Sequence, residues 1–340
     1  MTEQAKRGPV GAALVGYGWW GQKMASVLQS VPEAMKLVYL VDPKPALAET
    51  AEAQGMGFST KLEEALADPR VEAVILATPH AVHERQLALA AAAGKHVFCE
   101  KPLALTAAGA AQAVKLCREA GLVLGMGHER RFEPPIAEIL ELADAGKLGR
   151  LLQIEANFSH DRFLNLGPGN WRIDAEQAPA GGMTATGIHL LDLAIRLMGP
   201  AESVHCACES LVSELPQGDT VSALVRFVGG GTAYVSASLS NPFISRFAVF
   251  GSKGWIEVRD KAHVATPEGW VVTKGMSDAP ITVEDLPPAE AVRDNLVAFA
   301  HAVRGEVAYP ITGEQLVQDI ALLEALFRSA KSGRIETVAG

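Results

Sequence analysis

Three groups of residues have the types and spacing that could do chemistry. The first is Gly16-Tyr17-Gly18-Trp19-Trp20-Gly21, followed by Asp42 twenty-one residues beyond Gly21. Where such a turn leaves a strand and opens a helix, the first glycine allows the tight bend and the second lets the backbone approach a pyrophosphate. The third permits close helix–sheet packing. The helix N-terminus then offers unpaired N–H groups and partial positive charge to the phosphates. Asp42, at the end of the second strand, would accept hydrogen bonds from the adenosine ribose and repel a 2′-phosphate, which favours NAD; Lys44 weakens that preference and keeps NADP open. The second group is Gly94-Lys95-His96-Val97-Phe98-Cys99-Glu100-Lys101-Pro102. At the carboxyl end of a parallel strand, Glu100 and Lys101 stand where doubly wound sheets bind ligands, and a lysine there can hold a substrate hydroxyl or help move its proton. Thr78, Pro79, His80 and His83 follow the preceding strand and read as loop residues lining the same site. The third group lies on Gly187–Met198, apolar almost all round and therefore buried. His189, Asp192 and Arg196 fall at i, i+3 and i+7, on one face. Buried polar groups need partners, so the stripe implies either a lined cavity, with His189 as general base, or a structural hydrogen-bond network. An H-x-x-D pair also suits a metal, but two ligands without a third assign none.

The elements that must position these residues follow from periodicity. Over the first 126 residues short β-rich runs alternate with helical ones: strands at Val10–Val15, Lys36–Val41, Gly57–Ser59, Val71–Ala77, His96–Cys99 and Leu122–Met126, and a helix expected to open at Gly21. VEAVILA is apolar nearly throughout, as a strand covered on both faces should be. This is the signature of βαβ units and a parallel sheet. After about Gly127 the rhythm changes. A helix at Pro134–Ala145 and a strand at Leu151–Phe158 precede a Gly-, Pro- and Asn-rich loop too long to be mere connection. Alternating runs such as Val221–Val228 and Thr232–Leu239 then predict an antiparallel sheet with one exposed face, and two helices follow. The fold class is an α/β domain over residues 1–127, followed by an α+β domain over 128–340 with a large, mostly antiparallel open sheet.

Composition bounds the partners. The 340 residues carry a formal net charge of −9, with 49% hydrophobic and 20% charged residues. A net-acidic chain attracts no polyanion over its whole surface, so nucleic-acid or anionic-membrane binding as the main task is not expected. Between Lys95 and Arg131, however, six Lys and Arg face three Glu, a locally cationic stretch suited to a dinucleotide. Four cysteines without a CxxC signal neither a disulfide framework nor a zinc module, and a cytoplasmic location is expected.

Taken together, G-Y-G-W-W-G at 16–21, T-P-H-A-V-H at 78–83, G-K-H-V-F-C-E-K-P at 94–102, R-R-F at 130–132, W-R at 171–172 and G-I-H-L-L-D at 187–192 resemble the Gfo/Idh/MocA oxidoreductases over nearly the whole chain. The resemblance implies a Rossmann domain, a second domain whose large sheet commonly builds homodimers or homotetramers, and NAD(P)-dependent oxidation or reduction of a secondary hydroxyl on a sugar, cyclitol or related polyol. Lys101 and His189 match the family's catalytic Lys and His. Arg131, Trp171, Arg172, Thr184 and Asp192 are the candidates to shape the substrate pocket. Two departures stand out. Ala185 occupies the position where many members carry Asp, one turn before the His, and Glu129 stands where relatives often have Asn. Two alternatives remain open at this point: an NAD-using glycosidase without net redox change, and a cofactor-binding regulator.

Overall fold

Strands with no polar positions need cover on both faces, and the first half of the chain supplies it. The computed structural model describes residues 8–167 and 169–338. The strands β1 (Val10–Val15), β2 (Met35–Val41), β3 (Gly57–Ser59), β4 (Ala73–Leu76), β5 (His96–Cys99) and β6 (Leu124–Met126) form one parallel sheet in the order β3-β2-β1-β4-β5-β6. Every residue of β1 and β4 is buried. The connecting helices are α1 (Trp19–Leu28), α2 (Ala48–Ala53), α3 (Leu62–Ala67), α4 (His83–Ala92) and α5 (Ala107–Glu119). The strand order reverses between β1 and β4, so the loops leaving their carboxyl ends diverge and open a crevice.

The second sheet has nine strands in the order β14-β13-β12-β11-β7-β10-β9-β8-β15, and only the β7–β10 pairing is parallel. Its members are β7 (Leu151–Ser159), β8 (Ala201–Glu209), β9 (Thr220–Phe227), β10 (Thr232–Ser238), β11 (Ile244–Gly251), β12 (Gly254–Asp260), β13 (Trp270–Met276), β14 (Thr282–Leu286) and β15 (Glu336–Thr337). In β9 the odd positions Val221, Ala223, Val225 and Phe227 are buried while Leu224 and Arg226 are exposed, the expected one-sided alternation. Helices α6 (Pro134–Asp144), α7 (Ile188–Met198), α8 (Ala291–Val303) and α9 (Gly313–Ser332) complete the chain.

Contacts divide the chain into two units. The first runs to Ala104 and resumes over Ala108–Glu129 and Val292–Gly313; the second holds Leu105–Ala107, Arg130–Ala291 and the chain from Glu314. The return of Val292–Gly313 has a physical cause. β6 is an edge strand, and an edge exposes unpaired backbone groups. Met126 N donates to the Tyr309 hydroxyl at 3.1 Å, Asn295 Nδ2 donates to Met126 O at 2.8 Å, and Phe299 packs edge-on against Phe98 at 5.6 Å. Arg304 closes the arrangement with two 2.7 Å hydrogen bonds to Glu72.

Three local readings change. Helix α1 opens at Trp19 rather than Gly21, because Gly18 takes the extended N-cap conformation and both tryptophans enter the first turn. The long loop holds 3₁₀ turns at Arg162–Asn165 and Trp171–Ile173, and a π-helical turn at Met183–Gly187 runs directly into α7. Arg196 does not share the buried stripe of His189 and Asp192. It extends to half-exposed Asp144 at 2.5 Å, because its position in the last turn of α7 reaches the surface.

Candidate functional site

In the first unit the three glycines have separable causes. Gly16 has φ +93°, and a Cβ there would lie 2.7 Å from Ala77 O. A Cβ on Gly21 would lie 2.1 Å from Gly16 O. Gly18 has an ordinary φ of −69°, and a Cβ there would meet nothing within 4 Å. The fold therefore requires the outer two glycines but leaves open space above the middle one, at a helix N-terminus with no side-chain cap.

Beside this turn lies a cavity of about 250 Å³ lined by Gly16, Asp42, Lys61, Thr78, Arg85 and Gln86, among others. Asp42 is 7% exposed; its carboxylate accepts from Tyr17 N at 2.8 Å and Lys44 N at 3.0 Å. It thus couples the glycine turn to the end of β2. Thr78 Oγ1 donates to Gln86 Oε1 at 2.6 Å, and both line the same cavity. The open space at Gly18, the helix N-terminus without a side-chain cap and the carboxylate in the cavity wall together fit a dinucleotide. Gly16, Gly18 and Gly21 would admit its pyrophosphate, and Asp42 would meet its ribose.

The histidines after β4 separate. His80 is buried, its ring 6.0 Å from that of His83, and both ring nitrogens of His83 are taken by carbonyls, Pro102 O at 2.8 Å and Thr78 O at 3.0 Å. Burial holds the His83 imidazole below its usual value, with a smaller contribution from Lys101, against the pull of those two carbonyls. His83 therefore braces the Lys101–Pro102 turn. Glu100 continues β5, its N–H donating to Leu76 O at 2.9 Å, and its carboxylate is buried. Lys101, the next residue, is half-buried, and its peptide bond to Pro102 is cis.

In the second unit His189 sits in the first turn of α7, 4% exposed, with its ring 6.3 Å from Phe158. Asp192, one turn on, is gripped by Arg131 through two hydrogen bonds of 2.6 and 2.8 Å, both partners buried. Arg131 also donates to Gln315 Oε1 at 2.7 Å. This is the network reading for Asp192 and Arg131: the pair anchors α7 and thereby fixes His189. The neighbouring Arg130 is equally buried and binds Ser245 Oγ at 2.6 Å, Asp260 at 2.9 Å and Glu133 at 3.2 Å. Thr184 donates to Pro179 O, and Thr186 to Phe158 O at 2.7 Å, so both hydroxyls secure the π-helical turn that carries Ala185. Ala185 alone in Gly181–His189 is not buried. The Arg172 guanidinium stacks over Trp171 at 4.3 Å, and the turn holding them is capped by Asn170, whose Oδ1 accepts from Arg172 N at 3.0 Å.

Sequence reasoning missed two histidines. His160 and His263 stand 5.9 Å apart, and with Phe158, Phe163 and Phe243 they form an aromatic cluster continuous with His189. His160 stands just past the end of β7, two residues after Phe158, a weak signal; His263 comes from the turn after β12, which no local pattern ties to it.

Comparison with known proteins gives matches over both units of the chain. Residues 10–128 match the oxidoreductase family with an NAD-binding Rossmann fold, and residues 136–257 match the GFO/IDH/MocA C-terminal domain. The chain is 31% identical over 294 residues to a 1,5-anhydro-D-fructose reductase of Ensifer adhaerens, covering 84% of this chain and 86% of the relative. It is 26% identical over 319 residues to a D-xylose 1-dehydrogenase (NADP(+)) of Haloferax volcanii, covering 93% and 96%. Its fold superposes on a crystal structure of aldose-aldose oxidoreductase from Caulobacter crescentus with a TM-score of 0.86, 24% identity and coverage of 97% and 99%.

Proposed function

The chain belongs to the Gfo/Idh/MocA family of NAD(P)-dependent oxidoreductases, and from that premise we propose that it moves a hydride between nicotinamide and a secondary hydroxyl or carbonyl carbon of a sugar, cyclitol or related polyol. The observation that carries this reading is Gly18, a glycine the fold does not need, under open space at the start of α1. When bound, the nicotinamide supplies the hydride acceptor or donor. The chain's own residues supply the rest. Within this reading His189 is the general base for the substrate hydroxyl, and Lys101 is a catalytic hydrogen-bond donor. The Arg131–Asp192 pair keeps His189 in place. Trp171 and Arg172 offer a flat cationic wall to a hydroxylated ring. NAD is the favoured cofactor, since Asp42 opposes a 2′-phosphate, while Lys61 and Arg85 in the same cavity leave NADP binding weaker but present. Self-association through the exposed face of the nine-stranded sheet belongs to the same reading. There Tyr234 on β10 pairs with Leu224 on β9, both about half exposed.

The test mixes the protein with NAD or NADP and a panel of aldoses, polyols and cyclitols, following reduced-cofactor absorbance. Turnover with at least one secondary alcohol is expected, and Lys101→Ala should lower it by about 10²–10⁴-fold with cofactor affinity retained. Cofactor binding without turnover on any substrate, or cleavage of aryl glycosides without net reduction, would overturn the proposal. Titration with both cofactors checks Asp42: NAD preferred by the parent, and the NAD/NADP preference falling about tenfold or more, about 1.4 kcal/mol, in Asp42→Ala.

A further inference from the structure

The loop that joins β8 to β9 takes no part in the chemistry above, yet it touches the candidate substrate site at two places. The strands pair as far as Glu209 opposite Thr220, so residues 210–219 form the connection. Its last three residues meet the long loop that carries Trp171, Arg172 and Ala185. Gln217 is 4% exposed, and its Nε2 donates to Arg172 O at 3.1 Å. Gly218 O lies against the α-carbon of Gly181: a Cβ there would stand 2.2 Å from it. Gly181 O in turn accepts from Ala185 N at 3.3 Å, tying Gly181 to the π-helical turn that leads to His189. The connection is braced from behind. Gly218 has φ +84°, and a Cβ on it would lie 2.5 Å from Cys208 Sγ, so the backbone passes directly over β8. Asp219 N donates to Glu209 O at 2.9 Å, and Asp219 O accepts from Leu239 N at 2.7 Å. The buried Asp219 carboxylate accepts from Leu211, Val212 and Ser213 N at 3.1, 2.8 and 2.7 Å, which folds the connection back on itself. Beside Pro216 the turn of Trp171 meets a cavity of about 420 Å³ lined by Asn170, Ile173, Asp174 and Glu176, so apolar packing does little to hold it there.

We propose that residues 217–219 clamp the candidate substrate site at these two points, making Gln217 and Gly218 positioning residues for the reaction. Neither touches the reacting atoms in this scheme. Gln217 acts through Arg172, whose guanidinium stacks over Trp171 at 4.3 Å, so its hydrogen bond sets where that flat cationic wall meets a substrate ring. Gly218 acts through Gly181 and the π-helical turn, so its carbonyl sets where α7 begins and where His189 stands. The inference therefore rests on the roles proposed for Trp171, Arg172 and His189. A wall that meets only the substrate ring serves binding, whereas a displaced general base slows the chemical step. The two contacts should accordingly separate in kinetics.

Hydrogen exchange of the whole chain, read by mass spectrometry on peptides spanning 170–187, tests the clamp without any substrate. Gln217→Met keeps a side chain of similar length but removes the donor, and should speed exchange around Arg172 by about five- to tenfold, the weight of one hydrogen bond. Peptides of the parallel sheet are the control and should not change. Unchanged exchange over 170–187 overturns the clamp, and so does an equal rise in the sheet, which marks general loosening. With a substrate in hand, Gln217→Met should raise KM about fivefold or more while kcat stays within about twofold. Gly181→Ala drives a methyl group onto Gly218 O and should instead lower kcat about tenfold or more. A lowered Tm in Gln217→Met with KM unmoved marks a merely structural contact and overturns the positioning role, even where Gly181→Ala folds poorly. If no candidate substrate turns over, the reading of the site fails, and the exchange result still decides the clamp.

Discussion

At the scale of single residues, the two arginine–aspartate pairs of α7 make opposite predictions. Arg131 and Asp192 are buried, so Asp192→Ala strands a guanidinium and should cost on the order of 3–5 kcal/mol in urea unfolding. Arg196 and Asp144 meet at the surface, and Arg196→Ala should cost about 1 kcal/mol or less. Equal losses in the two variants would refute the assignment of Asp192 to the framework. Asp219 adds a pH dependence. It is fully buried; desolvation pushes its carboxyl up, but N–H donors from Leu211, Val212 and Ser213 and the Thr220 hydroxyl outweigh that and hold it far below the usual range. With the folded value depressed, the stabilisation is full above the ordinary aspartate range and is lost as pH falls toward the folded value. Asp219→Asn should therefore flatten the acid limb of the stability curve; an unchanged acid limb would contradict this. Lys101 and His189 stood out in the sequence as candidates because turn chemistry and an otherwise apolar helix set them apart. The partners of Asp192 were not, since Arg131 and Gln315 come from distant segments that no spacing connects.

At the scale of elements, the glycine turn is the sharpest case. Gly21→Ala would drive a methyl group against Gly16 O and should destabilise the chain by about 1–3 kcal/mol. Gly18→Ala meets no protein atom and should leave thermal unfolding nearly unchanged while weakening NAD binding about tenfold or more. Calorimetric titration decides it: full NAD affinity in Gly18→Ala would remove the pyrophosphate from this turn. The parallel sheet was readable because β1 and β4 lack polar positions, and the second sheet because β9 and its neighbours alternate. The stretch from Arg162 to Gly187 was not, because its turns depend on side-chain caps such as Asn170 and Asp174 rather than on hydrophobic period. The π-helical turn before α7 likewise carries no periodic signature, although such turns recur at functional sites.

At the scale of the whole molecule, the exposed pair Tyr234 and Leu224 motivates a test of assembly. Light scattering should find a homo-oligomer, and Tyr234→Glu should shift it toward monomer; a monomeric parent protein would refute self-association through this face. The change of rhythm near Gly127 was visible in the sequence, whereas the return of Val292–Gly313 to the first unit was not, because it depends on Tyr309, Asn295 and Phe299 meeting β6 and its neighbour. That return has a consequence for biosynthesis. A ribosome delivers β6 long before Tyr309, with more than half of the chain's 340 residues still to come. During that interval the edge of the nucleotide-binding sheet has no native cover, so the nascent chain passes through a stage open to strand addition by its neighbours.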